Sequence, residues 1–289
     1  MKNGNLAPRP LTRELFNALT ALELARRTGA RAQEHSALEA LGYAQNGILT
    51  PQGLAALEPY RVRRAVFIAA GFGSRMAPVT LRTPKPLVRV HGKRIIDTLL
   101  DAVVAADIPE IVIVRGYLGE QFDALKDKYP RVRFVENPLF NEANNISSAL
   151  RVRDLLRGAY VFEADLVLSN PALVRKYEFE TNFLAIPMER SDDWCFRTEN
   201  GVIRELKIGG MHCDQEVGIS YWSEADGAKL EQDLPAAFDM PGGRELYWEQ
   251  VPLKVFRDHY QVAVRPCTQR DILEIDTYSE LKAFDPSYQ

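Results

Sequence analysis

Apolar residues along this chain change their period near Arg64. Upstream, Leu11, Leu15, Leu19, Leu22 and Ala25 fall on one helical face, with Thr12 placed to cap the helix and Gly29 just past its end. A second helical pattern covers residues 32–41, and Gly42 stops it. Asn46-Gly47 then predicts a tight turn, Ile48-Leu49 a short strand, and Thr50-Pro51 the start of another helix, since proline suits the first helical position. Residues 58–64 read as a linker. Downstream, short solid apolar runs alternate with amphipathic stretches: strands over 65–70, 111–115, 132–135 and 159–168, helices over 92–106 and 119–128. A uniformly apolar strand is buried on both faces, and strands alternating with helices imply a mostly parallel sheet that binds ligands beyond its carboxyl ends. The expected division is a small helical module at 1–60 and an α/β domain at 61–289.

The first of these strands ends abruptly in Gly71-Phe72-Gly73-Ser74-Arg75, with Lys85 shortly after. The glycines clear the way for a ligand to approach the backbone, and exposed N–H groups with two cations suit a polyphosphate. Two familiar phosphate motifs fail here. A dinucleotide fingerprint needs glycine where Met76 stands, and a P-loop needs Gly-Lys-Ser/Thr. The string from Ala69-Ala70-Gly71 to Arg75, followed by Thr83-Pro84-Lys85-Pro86-Leu87, instead resembles the signature of nucleotidyltransferases that activate sugars and alcohols. That resemblance implies a mixed, mostly parallel Rossmann-like sheet flanked by helices, of the nucleotide-diphospho-sugar transferase type. It also implies nucleotide binding by Ala69, Ala70, Gly71, Gly73, Ser74 and Arg75, with Arg75 and Lys85 as the catalytic cations.

Composition narrows the class without deciding it. The 289 residues suffice for one large or two smaller domains, and a net charge of −3 sets up no global field toward nucleic acid or membrane. Cys195, Cys213 and Cys267 are scattered without metal-ligand spacing and read as reduced thiols. No segment has the pattern of a signal peptide or a membrane span, so a cytoplasmic protein is expected. The N-terminal order of helix, helix, hairpin and helix resembles a winged-helix module. Up to Arg64, however, nine Lys/Arg face five Glu, three of the cations lie in the linker, and the would-be recognition helix carries Glu34 and Glu39. Packing or dimerisation fits residues 1–60 at least as well as DNA binding. Nucleic acid is therefore not the favoured partner, and a homodimer stays open.

Further along, Asn144, Asn145, Ser147 and Ser148 suit a helix N-terminus and also carry groups that read a base or ribose. In the nucleotidyltransferases, base recognition sits at this helix start. The fourth strand ends in Glu163 and Asp165, at the ligand edge of the sheet. The family resemblance makes Asp165 a metal ligand, and Asp276, after the run Ile272-Leu-Glu-Ile275, a second. Two such carboxylates form a hard-oxygen site for Mg²⁺. Taken alone, Asp276 also reads as the cap of a final helix over 277–284.

All three tryptophans lie between Asp165 and Asp276, in Asp193-Trp194, Tyr221-Trp222 and Tyr247-Trp248-Glu249. Aromatic faces near carboxylates suit a quaternary ammonium, which offers no N–H. The glycine loop, the Asn-Asn segment, Ala-Asp, Gly-x-Ser-x-Trp, Leu-Tyr-Trp and Glu-Ile-Asp together resemble the bacterial CTP:phosphocholine cytidylyltransferases, with Glu163 where that family often has Asp. The resemblance implies CTP and phosphocholine as substrates, with Trp194, Tyr221, Trp222, Tyr247 and Trp248 as walls for choline. Another sugar- or alcohol-phosphate nucleotidyltransferase, or a nucleotide-sensing regulator, are the alternatives.

Overall fold

A computed structural model describes residues 10–29 and 36–288, and the chain divides into two compact units. The first unit is Met1–Arg61 with Tyr177–Phe179. Its helix α1 (Arg13–Thr28) starts where the Thr12 hydroxyl accepts from the Leu15 N–H, and stops at Gly29 with φ +70°. The described part of the second predicted helix is α2 (Ser36–Ala40); residues 32–35 lie outside the described residues. A two-residue turn at Asn46-Gly47, both at positive φ, joins β1 (Ala44–Gln45) to β2 (Ile48–Leu49), and Thr50 caps α3 (Pro51–Leu57). Leu19, Leu38 and Leu57 close a core in which Phe16 packs against Tyr60 and Phe179.

The second unit, Val62–Lys176 with Glu180–Gln289, runs β3 (Arg64–Ala69), β4 (Arg89–Val90), β5 (Lys93–Arg94), α4 (Ile95–Ala105), β6 (Glu110–Arg115), β7 (Val132–Glu136), α5 (Ile146–Arg151), β8 (Ala159–Glu163) and β9 (Leu166–Leu168). It continues through the long hairpin β10 (Asn182–Glu199) and β11 (Val202–Trp222), then α6 (Glu224–Phe238), β12 (Ala263–Pro266), β13 (Ile272–Glu274) and α7 (Tyr278–Phe284). The seven-stranded sheet has the order β10-β12-β11-β8-β3-β6-β7, with β8, β3, β6 and β7 parallel. Alternation along β3 explains why it is solidly apolar. Ala65 and Phe67 belong to the core cluster that also holds Leu99 and Val103 of α4, while Val66 belongs to a second cluster with Leu230 and Leu234 of α6. The register sets Ile68 of β3 beside Glu163 of β8 and Ala69 beside Arg115 of β6, so the glycine loop leaves the sheet next to the acidic end of β8. No helix among the described residues is long and apolar enough to cross a membrane.

Several predicted boundaries move. The helix expected from residue 92 begins at Ile95, because His91 and Gly92 take positive φ in the β4–β5 hairpin. The stretch predicted as a helix over 119–128 is a 3₁₀ segment, Gly119–Leu125. The helix that begins beyond Asn145 is short, ending at Arg151, and Leu155 sits in a separate 3₁₀ turn. The strand over 159–168 breaks between β8 and β9, leaving Asp165 in the turn.

A chain starting at Val62 is expected to fold on its own, because the seven-stranded sheet and the helices packed on it belong to the second unit. Tyr177 and Phe179 lose their partners, which removes on the order of 2 kcal/mol for each ring uncovered. Thermal unfolding should show a single cooperative transition with a lower midpoint, and an insoluble or unfolded product would mean that residues 1–61 are needed to complete the second unit.

Candidate active site

Gly73, at φ +61°, turns the chain from the end of β3 into a 3₁₀ turn, Ser74–Met76, and its carbonyl accepts from the Thr80 hydroxyl at 2.9 Å. A Cβ on Gly73 would lie 2.8 Å from the Lys85 Cβ, so the absent side chain lets the loop close onto Lys85. The Lys85 ammonium is buried. It donates to Asp165 Oδ2 at 2.8 Å and to Asp276 Oδ1 at 2.7 Å, and Arg75 reaches the same Asp276 oxygen at 2.8 Å. Burial alone would lower the Lys85 pKa; the two carboxylates outweigh it and hold the ammonium above its ordinary value. Burial would likewise raise Asp276, but Lys85 and Arg75 keep it below the usual carboxylate range.

Asp276 is not the cap of α7. Thr277 caps that helix in a reciprocal capping box, with the Glu280 carboxylate accepting from the backbone N–H groups of Asp276 and Thr277. The Asp276 side chain is thereby left to face Lys85. Beside it, carboxylate oxygens of Glu163, Asp165 and Glu274 lie within 4.8 Å of one another. Sequence reasoning gives Glu163 no metal role and passes over Glu274. The available signal was period two: Glu274 and Asp276, like Glu163 and Asp165, are two residues apart at a strand end. Gly218, at φ +63°, makes room for this group, since a Cβ there would meet Glu163 Oε2 at 2.7 Å.

These residues line one open cavity of about 560 Å³. Its walls carry two cations, Arg75 and Lys85, against seven carboxylates: Glu163, Asp165, Asp193, Glu216, Glu249, Glu274 and Asp276. Burial is the first cause of the raised pKa values in this set. It pushes Glu249 up to about 7 against a lowering contact from Asn145, and together with Asp165 and Asp276 it pushes Glu274 up to about 9. Burial with Asp165, and burial with Glu249, likewise lift Glu163 and Glu216 well above the usual range. Such a wall is stable with protons on some carboxyls or with cations bound among them.

Of the predicted nucleotide-binding residues, Ala69, Ala70, Gly71, Gly73, Ser74 and Arg75 all line the cavity, as do Asn144, Asn145, Ser147 and Ser148. The last four are engaged by protein. The Asn137 amide donates to both serine hydroxyls at 2.9 and 3.0 Å, the Asn144 amide donates to the Glu245 carbonyl at 3.1 Å, and Asn145 Oδ1 accepts from the Trp248 N–H at 2.7 Å.

The five-membered aromatic cage is corrected to two members. Trp194 and Tyr247 meet edge to face at 5.7 Å on the cavity wall, beside Asp193 and Glu249. Tyr221 and Trp222 end a strand that pairs with β8 inside the sheet, and both faces there are covered. Tyr221 packs edge-on against Tyr160, and Trp222 against Phe183 and Trp248, with its indole N–H on the Ser220 hydroxyl at 3.0 Å. Trp248 is 3% exposed in the same core. The cysteines also sit differently from their scattered appearance: Cys195 and Cys213 are free, buried and 3.1 Å apart at sulfur, brought together across the hairpin.

Residues 65–182 match the MobA-like NTP transferase domain. A 2-aminoethylphosphonate cytidylyltransferase of Lancefieldella rimae is 37% identical over 232 residues, which are 78% of this chain and 92% of that protein. A choline-phosphate cytidylyltransferase of Haemophilus influenzae is 29% identical over 75% of this chain and 93% of its own length. Among solved structures, the CTP:phosphocholine cytidylyltransferase of Streptococcus pneumoniae superposes with a TM-score of 0.72 at 27% identity, covering 79% of this chain and all of that one.

Gly73→Ala should lower kcat at least tenfold. The new Cβ needs a strained backbone and pushes on the Lys85 Cβ, which cannot swing away as a side-chain tip can. Steady-state kinetics with an unchanged melting profile would show that the loss lies in the placement of Lys85; wild-type kcat would mean that the loop tolerates the shift.

Proposed function

With the chain a member of the nucleotidyltransferase family, of the CTP:phosphocholine cytidylyltransferase type, we propose that it transfers CMP from CTP to a small phosphonate or phosphate bearing a primary ammonium group. An acceptor oxygen attacks the α-phosphorus in line; the new P–O bond forms as the bond to the β-phosphate oxygen breaks, and pyrophosphate leaves. The backbone of Gly71 to Ser74 and the exposed Arg75 guanidinium hold the β- and γ-phosphates. Lys85 keeps its charge where negative charge gathers between the reacting phosphates, which is the part of such a reaction that a protein can accelerate by preorganised electrostatics.

The carboxylates suit a hard divalent ion. Asp165 Oδ1 is buried with no hydrogen-bond partner, the donor set is all oxygen, and Lys85 already draws Asp165 and Asp276 together. Asp165 and Asp276 would hold Mg²⁺. When bound, the ion neutralises phosphate oxygens of both substrates.

Glu249 carries the acceptor assignment. It is 4% exposed on the cavity wall, and its Oε2 has no hydrogen-bond partner. An N–H from a primary ammonium would complete it with a charge-assisted hydrogen bond of about 1.5–3 kcal/mol. A trimethylammonium has no N–H, and cation–π attraction supplies about 0.5–2 kcal/mol. The relative named for 2-aminoethylphosphonate supports the same choice. Phosphocholine is the second reading, favoured by the Trp194–Tyr247 pair. A hexose 1-phosphate fits less well, because a neutral sugar leaves seven carboxylates facing two cations. A sensor without turnover has no need of Arg75, Lys85, Asp165 and Asp276 converging on one point.

Pyrophosphate release with CTP and a panel of acceptors tests this reading. The expected order in kcat/KM is 2-aminoethylphosphonate above phosphocholine by about tenfold, about 1.4 kcal/mol, and both far above glucose 1-phosphate; preference for the hexose would sink the acceptor assignment. Glu249→Gln should raise the KM for 2-aminoethylphosphonate at least tenfold with little change in the CTP KM.

Asp165→Asn and Asp276→Asn should each lower kcat by roughly a hundredfold, the scale of losing one preorganised electrostatic group. Normal turnover of either variant with Mg²⁺ would remove that residue from the metal site.

A further inference from the structure

The loop that follows α6 presents its side chains alternately to two environments. Tyr247 and Glu249 line the cavity, while Trp248 between them is sunk into the core against Phe183 and Trp222. From the opposite wall, at the start of α5, two asparagines clip this loop in place. The Asn144 N–H donates to the Arg244 carbonyl at 2.7 Å and the Asn144 amide to the Glu245 carbonyl at 3.1 Å. Asn145 Oδ1 accepts from the Trp248 N–H at 2.7 Å, and the Asn145 side chain stands near enough to the Glu249 carboxyl to lower its pKa. Asn145 itself is set by its own N–H, which donates to Asn144 Oδ1 at 2.7 Å.

The Asn145 side-chain carbonyl is thus spent on the acceptor loop. A carbonyl already paired inside the protein cannot read a base without giving up that bond, worth about 1 kcal/mol or more. Trp248 stands directly between Tyr247 and Glu249, so the bond to its N–H fixes the stretch of backbone that carries both cavity-lining side chains, and Glu249 Oε2 is left without a protein partner.

We infer that Asn145 is a positioning residue for acceptor recognition, aiming the Glu249 carboxylate and the Tyr247 ring at the acceptor's ammonium from the wall that also borders the nucleotide. This rests on the assignment of a cationic acceptor to the Glu249 end of the cavity. It moves Asn145 from nucleotide reading, where its place before α5 had put it, to acceptor selectivity. Asn144 fixes the loop's entry and contacts neither Tyr247 nor Glu249 by a side-chain hydrogen bond, so its part is to hold the clip closed.

The test compares 2-aminoethylphosphonate with propylphosphonate, which has the same length and a methyl group in place of the ammonium, by KM or competition. Asn145→Ala is the direct variant, and Asn145→Leu, which refills the amide's volume, stands beside it should the first loosen the loop. Both should raise the KM for 2-aminoethylphosphonate at least tenfold, with kcat within a few fold and with propylphosphonate affinity and CTP KM within about twofold. A general collapse of the site would weaken both phosphonates alike and overturn the inference, as would a rise in the CTP KM alone. Glu249→Gln separates the two levels. If it leaves the preference for the ammonium compound intact, the cationic-acceptor reading fails; if it abolishes the preference while both Asn145 variants retain it, only the positioning role fails.

Discussion

The buried ammonium of Lys85, shared between Asp165 and Asp276, is the contact on which the site depends. Those partners are 80 and 191 residues away in sequence, one in the turn after β8 and one just past β13. Removing either carboxylate from such a group leaves a buried charge under-compensated, which typically costs 3–5 kcal/mol. The chain has arranged its local structure to protect the triad. Gly73 has no Cβ to push Lys85 aside, the capping box at Thr277 and Glu280 takes over the end of α7 so that Asp276 need not cap it, and Gly218 yields space to Glu163.

Around that centre the cavity wall divides into two parts. Arg75 and Lys85, the wall's two cations, stand at the carboxyl end of β3 among Glu163, Asp165, Glu274 and Asp276, while Asp193, Glu216 and Glu249 lie toward the hairpin and the loop after α6. The sheet register enforces the division, because β3 and β8 end side by side while β11 runs antiparallel to β8 and brings Glu216 in from the other direction.

Much of this was legible in the sequence wherever the signal was local. The glycine loop and Lys85 follow from a short motif, Asp165 stands out as a carboxylate at a strand end, Asp276 is picked out by the family resemblance alone, and the parallel sheet follows from solid apolar runs. The illegible parts depended on which face of an element is covered. Tyr221-Trp222 and Tyr247-Trp248 look alike as aromatic pairs. β11 is flanked on both edges and packed on both faces, so both rings of the first pair are core, whereas the second pair lies on a loop and splits into one core ring and one wall ring. Glu249 was hidden for the same reason, since nothing in Leu-Tyr-Trp-Glu says which way the acid points. The meeting of Cys195 and Cys213 depended on hairpin register through several bulges, which no pairing rule supplies from sequence.

The excess of acid over base then explains why the cavity's chemistry is one of exchange. Unliganded, the wall lowers its own repulsion by holding protons, as the raised pKa values of Glu163, Glu216, Glu249 and Glu274 express. A cation that enters replaces those protons, so its affinity increases with pH until the carboxyls are ionised in its absence. The same acids therefore discriminate between ligands by charge before any hydrogen bond is counted. A neutral ligand gains nothing from displacing protons, while a cation held among these carboxyls would stabilise the ionised form that burial disfavours. On the proposed assignment, geometry at Asn145 and the aromatic pair would sort one cation from another only after that first selection.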